Sequence, residues 1–436
     1  MERPRPPLRR LLAVVVLAWA CGAPAPGEGE GSSAAGDAGA AAPASPSPAE
    51  QVGAPGTGGD PQSAPGDLLA AQGVFDDSIV FGQSAALSGA TEGLGTDMRL
   101  GVLAAFEEAN REGGVHGRLL KLQSRDDRYE SELAVENTRE LIDSVGVFGL
   151  IGAVGTPTSN VAEPIASENG VPYIGAFTGA SLLRRDDQRY VVNLRASYNQ
   201  ETEWMVERLT TDLGFSRIAI LYQDDTYGLA GLNGVMQALE RRDMALVGTG
   251  TYVRNTIAVK RALLRLQESR PQAVIIIGAY RPAAEFIRWA RKTGLGAVFV
   301  NLSFVGSNGL LDELGESGEG VVVTQVVPLP RGTSIPVVAA YQAALRAVDG
   351  SAQPGFVSLE GYLAGRLVVQ VLGMSTEPDG DPPTREAFLQ TLAEAGPIDL
   401  GGFMVEYGPD DNQGSDEVFL TVIRQGRFVR VDELSR

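Results

Sequence analysis

Sulfur chemistry has almost no foothold in this chain. Among 436 residues there is one cysteine, Cys21, which excludes an internal disulfide framework and any site built on several thiolates. There is also one histidine, His116, in the turn-like run GGVHGR. A Ser-His-Asp or Cys-His centre would have to be built on that residue alone, and a solvated turn side chain is the simpler reading. Basic charge is scarce: 36 Lys and Arg stand against 54 Asp and Glu, a net charge of −18. Such a chain repels phosphate backbones, so nucleic acid is not an expected partner. No GK dipeptide occurs, which excludes a Walker-type phosphate loop with its lysine. After the first apolar run, no segment reaches about 18 uninterrupted apolar residues, so none reads as a membrane span.

That first run lies in MERPRPPLRRLLAVVVLAWAC. Arg3, Arg5, Arg9 and Arg10 precede a short apolar stretch, Leu11 to Leu17, and small residues flank Trp19 before Cys21. Residues 1–20 therefore read as a secretory signal. A signal ending at a lone cysteine resembles the bacterial lipoprotein signal, which implies lipidation at Cys21 and attachment to a membrane. LAWAC departs from that pattern in Ala18, where leucine is commoner, and in the bulky Trp19; the alternative is ordinary cleavage beside an incidental cysteine. From Gly22 to Gly73 the chain is Ala, Gly, Pro and Ser with scattered acids, and holds no aromatic residue, Lys or Arg. It cannot bury enough apolar surface to offset its ordering entropy, so residues 21–76 read as a disordered tether.

With hydrophobic residues at 44%, the remainder has material for real cores. Short apolar runs alternate with helical spacing: SIVFGQSAAL, DMRLGVLAAFEEAN, RLLKLQSR, SELAVENTRELIDS, VFGLIGAVG, TSNVAEPIASENG, VPYIGAF. This β-α-β-α order predicts an α/β domain, a parallel sheet with helices on both faces. A second domain of the same kind starts at RIAILYQ and runs to AVFVNL. Residues 334–395 read as helical, and GGFMVEYG, EVFLTVIRQ and RFVRVDEL as antiparallel strands.

Ligands in such sheets bind beyond the carboxyl ends of the strands. The loops there are LSGATEGLG, AVGTPTS, AFTGAS, YQDDTYG, GAYRP and NLSFVGS. They suit a small organic molecule. Thr156, Thr158 and Ser159 start a helix, where N–H groups and hydroxyls can hold a carboxylate, although Thr158 or Ser159 could equally be a plain N-cap. Phe177, Tyr227, Tyr280 and Phe304 can cover an organic body. Asp224 and Asp225 could meet an amino group, or form a solvated turn. GATEGLG lacks the G-x-G-x-x-G spacing of a dinucleotide site, and Asp126–Asp127 read as helix-start capping. Neither cofactor nor metal is expected.

From about Ser78 to Val431 these segments resemble the type I periplasmic solute-binding proteins of the leucine/isoleucine/valine-binding branch. The resemblance is carried by ALSGATEGLGTDMRLGVLAAFEEANREGGVHGRLLKL, DDRYESELAVENTRELI, IGAVGTPTSNVAEPIASENGVPYIG, RIAILYQDDTYG and GESGEGVVVTQVVP, in that order. It implies two α/β lobes that close on a ligand and are joined by three chain crossings, near 193–196, near 324–328 and around the final strands. Lobe I would hold 77–193 plus 328–380, and lobe II 194–327 plus 381–436. By position, the implied ligand contacts are Ser88, Leu94, Thr156, Phe177, Thr178, Gly179, Tyr227 and Tyr280. The family's amine-binding acid should lie in NLSFVGS, where Ser303 and Phe304 stand instead. Asp225 or Glu360 would have to replace it, unless the ligand lacks an amine.

The resemblance implies an extracytoplasmic receptor that hands its ligand to an ABC permease. The alternative is a sensor that reports ligand to a membrane partner without transport. An enzyme is disfavoured, because the loops offer no nucleophile–base pair.

Overall fold

Strand β1 (Ser78–Ala85) is buried along its whole length, which suits a central position in a sheet covered on both faces. In the computed structural model, which describes residues 72–376 and 381–435, it pairs in parallel with β2 (Leu119–Asp126) and β3 (Leu150–Ile151). The signal run, Cys21 and nearly all of the expected tether lie outside the described residues. With β4 (Tyr173–Ile174) and β5 (Val191–Val192) the first sheet has the order β2-β1-β3-β4-β5. Its crossover helices are α1 (Glu92–Arg111), α2 (Ser131–Arg139) and α3 (Thr156–Glu168).

The chain then passes to a second sheet. Helix α4 (Tyr198–Thr211) starts in a capping box in which the Ser197 side chain and Gln200 satisfy each other's backbone N–H groups. β6 (Ile218–Gln223), α5 (Thr226–Glu240), β7 (Gly248–Tyr252), α6 (Lys260–Glu268), β8 (Ala273–Ile277), α7 (Tyr280–Lys292), β9 (Val298–Asn301), α8 (Ser307–Leu314) and β10 (Val322–Gln325) follow. β8 reads AVIII and is wholly buried, a fully covered central strand.

From β10 the chain returns to the first lobe as α9 (Pro336–Val348), α10 (Phe356–Met374) and α11 (Arg385–Glu394). α10 is long and apolar enough to cross a membrane by composition, but most of it is buried inside the molecule. It packs on α1 with almost no space between backbones: a Cβ at Gly101 would lie 2.0 Å from the Ser358 carbonyl oxygen, and one at Gly361 would lie 2.4 Å from that of Met98. Glycine is required at both places for the helices to approach this closely.

α11 corrects the expected boundary at residue 380. Its buried face is Phe388 and Leu392. Phe388 meets Phe148 edge-on at 5.9 Å, and Arg385 donates to the carbonyls of Val147 and Phe148. This helix therefore covers the first lobe, and the last passage to the second lobe begins only after it. A small hairpin of β11 (Ile398–Asp399) and β12 (Met404–Val405) intervenes. Then β13 (Phe419–Arg424) pairs antiparallel with β10, and β14 (Arg427–Val431) pairs antiparallel with β13. The second sheet has the order β14-β13-β10-β9-β8-β6-β7.

The first and last passages between the sheets are tied together. The Asn193 N–H donates to the Asn412 carbonyl and the Gly414 N–H to that of Asn193, both at 2.8 Å. The Tyr407 hydroxyl donates to the same Asn193 carbonyl.

Candidate functional site

The carboxyl ends of the strands in both sheets face each other across a seam. α3 begins at Gly155, whose φ of 104° only glycine adopts readily. That turn places Thr156 at the helix start, where its hydroxyl pairs with the Thr178 hydroxyl at 2.7 Å. Phe177, beside Thr178, stacks on Phe304 of the other lobe at 5.3 Å and 29°. Tyr227, at the start of α5, lies 4.4 Å from Phe304 and 5.7 Å from Tyr198. These side chains form one aromatic cluster drawn from both lobes, and Thr156, Tyr227 and Phe304 are fully buried in it. The Tyr227 hydroxyl has no hydrogen-bond partner among the described residues. Burial pushes its pKa well above the ordinary tyrosine value.

Other expected residues sit at the edges of this cluster. Leu94, on the buried face of α1, abuts Gly306 of the second lobe. Tyr280 crosses the seam, its hydroxyl accepting a long 3.4 Å bond from the Gly93 N–H. Gly179 makes room for the Tyr198 ring, which a Cβ would meet at 2.5 Å, and its carbonyl accepts the Tyr198 N–H. Ser88 lies at the half-exposed margin, its hydroxyl donating to Asp126 at 2.5 Å.

Two expectations change. The Thr158 hydroxyl turns back to the Val154 carbonyl at 2.5 Å and lines the interior of the first lobe beside Gln83 and Asp127, so it does not face the seam. Asp225 is the N-cap of α5: its Oδ1 accepts the N–H groups of Tyr227 and Gly228, and its Oδ2 accepts from Gln223 and lies 3.6 Å from Arg254. A carboxylate engaged in this way is not free for a ligand amine. Asp126 and Asp127 hold loops and do not cap α2. Asp126 accepts from the Leu87, Ser88 and Arg128 N–H groups. Asp127 accepts from Ser84 and the Tyr129 N–H, and its burial pushes its pKa to about 7 against those bonds.

Sequence reasoning missed Tyr129, Arg195, Tyr198 and Gln223. Arg195 lies on the first chain crossing with its side chain wholly buried, 4.9 Å above the Phe177 ring. It donates to Ser303 and to Glu201 at 3.3 Å, and lies 3.6 Å from Glu360 of α10. Burial works against its charge, but the two glutamates outweigh it and hold its pKa above the usual arginine value. Glu360 is pushed up to about 7, burial outweighing the attraction of Arg195. One sequence signal existed for this group: Arg195 is the lone charge in VVNLRASYN. His116 lies at the other end of the first sheet, in the turn before β2. Among the described residues no group of His, Cys, Asp and Glu is arranged to hold a metal ion.

A family model described as "Periplasmic binding protein" matches residues 78–427. The Leu/Ile/Val-binding protein homolog 8 of Brucella abortus (strain 2308) is 24% identical over 319 residues, 69% of this chain and 78% of the relative. The solved structure of a possible leucine/isoleucine/valine-binding protein from Rhodopirellula baltica SH 1 is 37% identical, covers 82% of this chain and 98% of that one, and superposes with a TM-score of 0.77. A substrate-binding periplasmic protein from Ralstonia solanacearum is 29% identical, covers 81% of this chain and 100% of that one, with a TM-score of 0.76.

Proposed function

This chain belongs to the periplasmic binding protein family, and from that membership we propose that it captures a small organic ligand between its two lobes and delivers it to an ABC importer. The family and its relatives are substrate-binding proteins, not enzymes, and the family implies an extracytoplasmic location. The observation that carries the reading is the seam itself. Aromatic rings from both lobes meet around the Thr156–Thr178 hydroxyl pair, while the chain crosses between the lobes three times. Apolar side chains with few polar groups, set between two hinged bodies, are what would line a small-ligand site when the bodies part.

The relatives' names, Leu/Ile/Val-binding, point to the amino-acid class, and we extend the proposal from it to a related carboxylate or amide. The acids near the seam are engaged elsewhere, Asp225 as a cap and Glu201 and Glu360 around Arg195. That favours a ligand without a primary ammonium, held through an acceptor oxygen near Thr156. Ser88, Leu94, Phe177, Thr178, Gly179, Tyr280 and Phe304 complete the proposed lining. Lipidation of Cys21 would keep the body at the membrane beside a permease. Cys21→Ser should then release it into the soluble extracytoplasmic fraction, and unchanged attachment would refute the anchor.

Mass spectrometry of small molecules released from the denatured, purified protein should identify the ligand. Calorimetry with that compound should show Tyr227→Ala weakened by about 30-fold or more, the cost of truncating an aromatic anchor worth about 2 kcal/mol. Thr156→Ala and Tyr280→Ala should also weaken binding. Parental affinity in all three variants would place the ligand elsewhere.

A further inference from the structure

One side chain of the first lobe crosses the seam and fills space there. We propose that Tyr129 is a tethered plug: its ring occupies the cleft, closes the lobes on one another without a ligand, and sets the room that an incoming molecule must win. The inference rests on the reading above only in taking the lobes to open and close.

The backbone delivers the ring. Arg128 and Tyr129 are consecutive left-handed residues, with φ of 52° and 62°, a conformation that side-chain-bearing residues avoid. Bonds on either side hold it: Asp126 accepts the Arg128 N–H at 3.0 Å, Asp127 accepts the Tyr129 N–H at 2.8 Å, and the Asp127 carbonyl accepts the Glu130 N–H. Strain maintained in this way marks a place where the direction of a side chain matters.

The ring is received on both sides. In its own lobe it lies against Gly155, where a Cβ would come within 2.1 Å of Tyr129 Cε2. Only glycine leaves that space. In the other lobe it faces Phe304 at 6.2 Å, and Arg254 stands 5.7 Å over its face. Its hydroxyl accepts from Gln223 Nε2 at 3.2 Å. Gln223 is itself oriented: its Oε1 accepts from the Tyr252 hydroxyl, which accepts the Ala279 N–H. Tyr129 is fully buried, as are Thr156, Tyr227 and Phe304 around it. The space among these walls is therefore taken by protein atoms, and the receptacle fits a phenol. The next residue, Glu130, adds an ion pair to Arg254 at 2.7 Å and accepts from Asn255. Ring and rim thus act together.

The test uses the full chain carrying Cys21→Ser, with nitroxides on Glu132→Cys and Arg261→Cys, two exposed positions on helices of opposite lobes. The protein is unfolded and refolded to strip small molecules, and pulsed dipolar spectroscopy reads the distance. The stripped parent, with Tyr129 in place, should give one short distance. Tyr129→Ala should give a longer, broader distribution, and Tyr129→Phe should stay near the parent. p-Cresol, the free tyrosine side chain, should restore the short distance in Tyr129→Ala, because a cavity cut to one ring binds that ring. If Tyr129→Ala does not fold, Tyr129→Leu should show the same opening in smaller measure. A parent already open when stripped, a folded variant with the parental distance, or failure of p-cresol to restore closure would each overturn the plug. The assay needs no natural ligand, so its outcome is independent of whether the capture proposal survives.

Discussion

The two ends of the seam carry the same kinds of charge in opposite surroundings. At the hinge end, Arg195 and Glu201 are wholly covered and Glu360 nearly so. Glu201 also accepts the Ser303 N–H and hydroxyl and the Thr324 hydroxyl. At the rim, Arg281 and Glu92 form an ion pair at 3.3 Å while 38% and 50% exposed. The contrast lies in water. Hinge charges have lost their hydration and depend on one another, so the cluster is fixed. Rim charges keep theirs, so their pairing is weak and can break as the lobes part.

The sharpest way to break that contrast is Arg195→Ala. It leaves Glu201 buried without its cation and should cost about 3–5 kcal/mol, read as a shifted urea midpoint with an unchanged slope. Glu360→Gln comes next and depends on pH. The folded pKa of Glu360 is raised from 4.5 to about 7, so between those values the folded state binds more protons than the unfolded one. Stability should fall as pH rises through that window and level off above it. The Gln variant lacks this loss. It should melt a few degrees above the parent at pH 8 and with it at pH 5, by calorimetry. Asp127, also raised to about 7, gives a slope of the same sign that both proteins retain. The smallest effect belongs to the rim. Arg281→Ala and Glu92→Ala should each change stability by less than about 1 kcal/mol, and a double-mutant cycle should give a coupling of roughly 0.2–1 kcal/mol that salt diminishes.

The alternation of strands and helices was legible because each buried strand is a short apolar run, as in AVIII, and each helix carries a periodic apolar face. The loops at the strand ends were legible for the same reason, and they supplied Thr156, Phe177, Tyr227 and Phe304. Three kinds of fact were not legible. Thr158 and Asp225 have side chains suited both to capping and to binding, and only the local backbone decides which they do. Tyr129 follows an Asp pair that looks like a helix start, and its direction depends on two left-handed residues that no pattern announces. Arg195 and Glu360 are 165 positions apart in the sequence, and only the return of α10 to the first lobe brings them together. That return also explains the misplaced boundary: the polarity of α11 says nothing about which lobe its Phe388 will enter.

The position of α9 and α10 has a consequence for how the chain is made. All five strands of the first sheet are complete by residue 192, but the helices that pack on α1 arrive only after residue 336. The second sheet begins at residue 218 and receives β13 and β14 only at the very end of the chain. During synthesis, then, the first lobe stays unfinished until most of the second has been made, and the second lacks its last two strands until after α11. Contacts so distant in sequence slow folding and leave apolar surface bare in the meantime. A nascent chain halted before residue 356 would present the uncovered face of α1 to whatever is nearby.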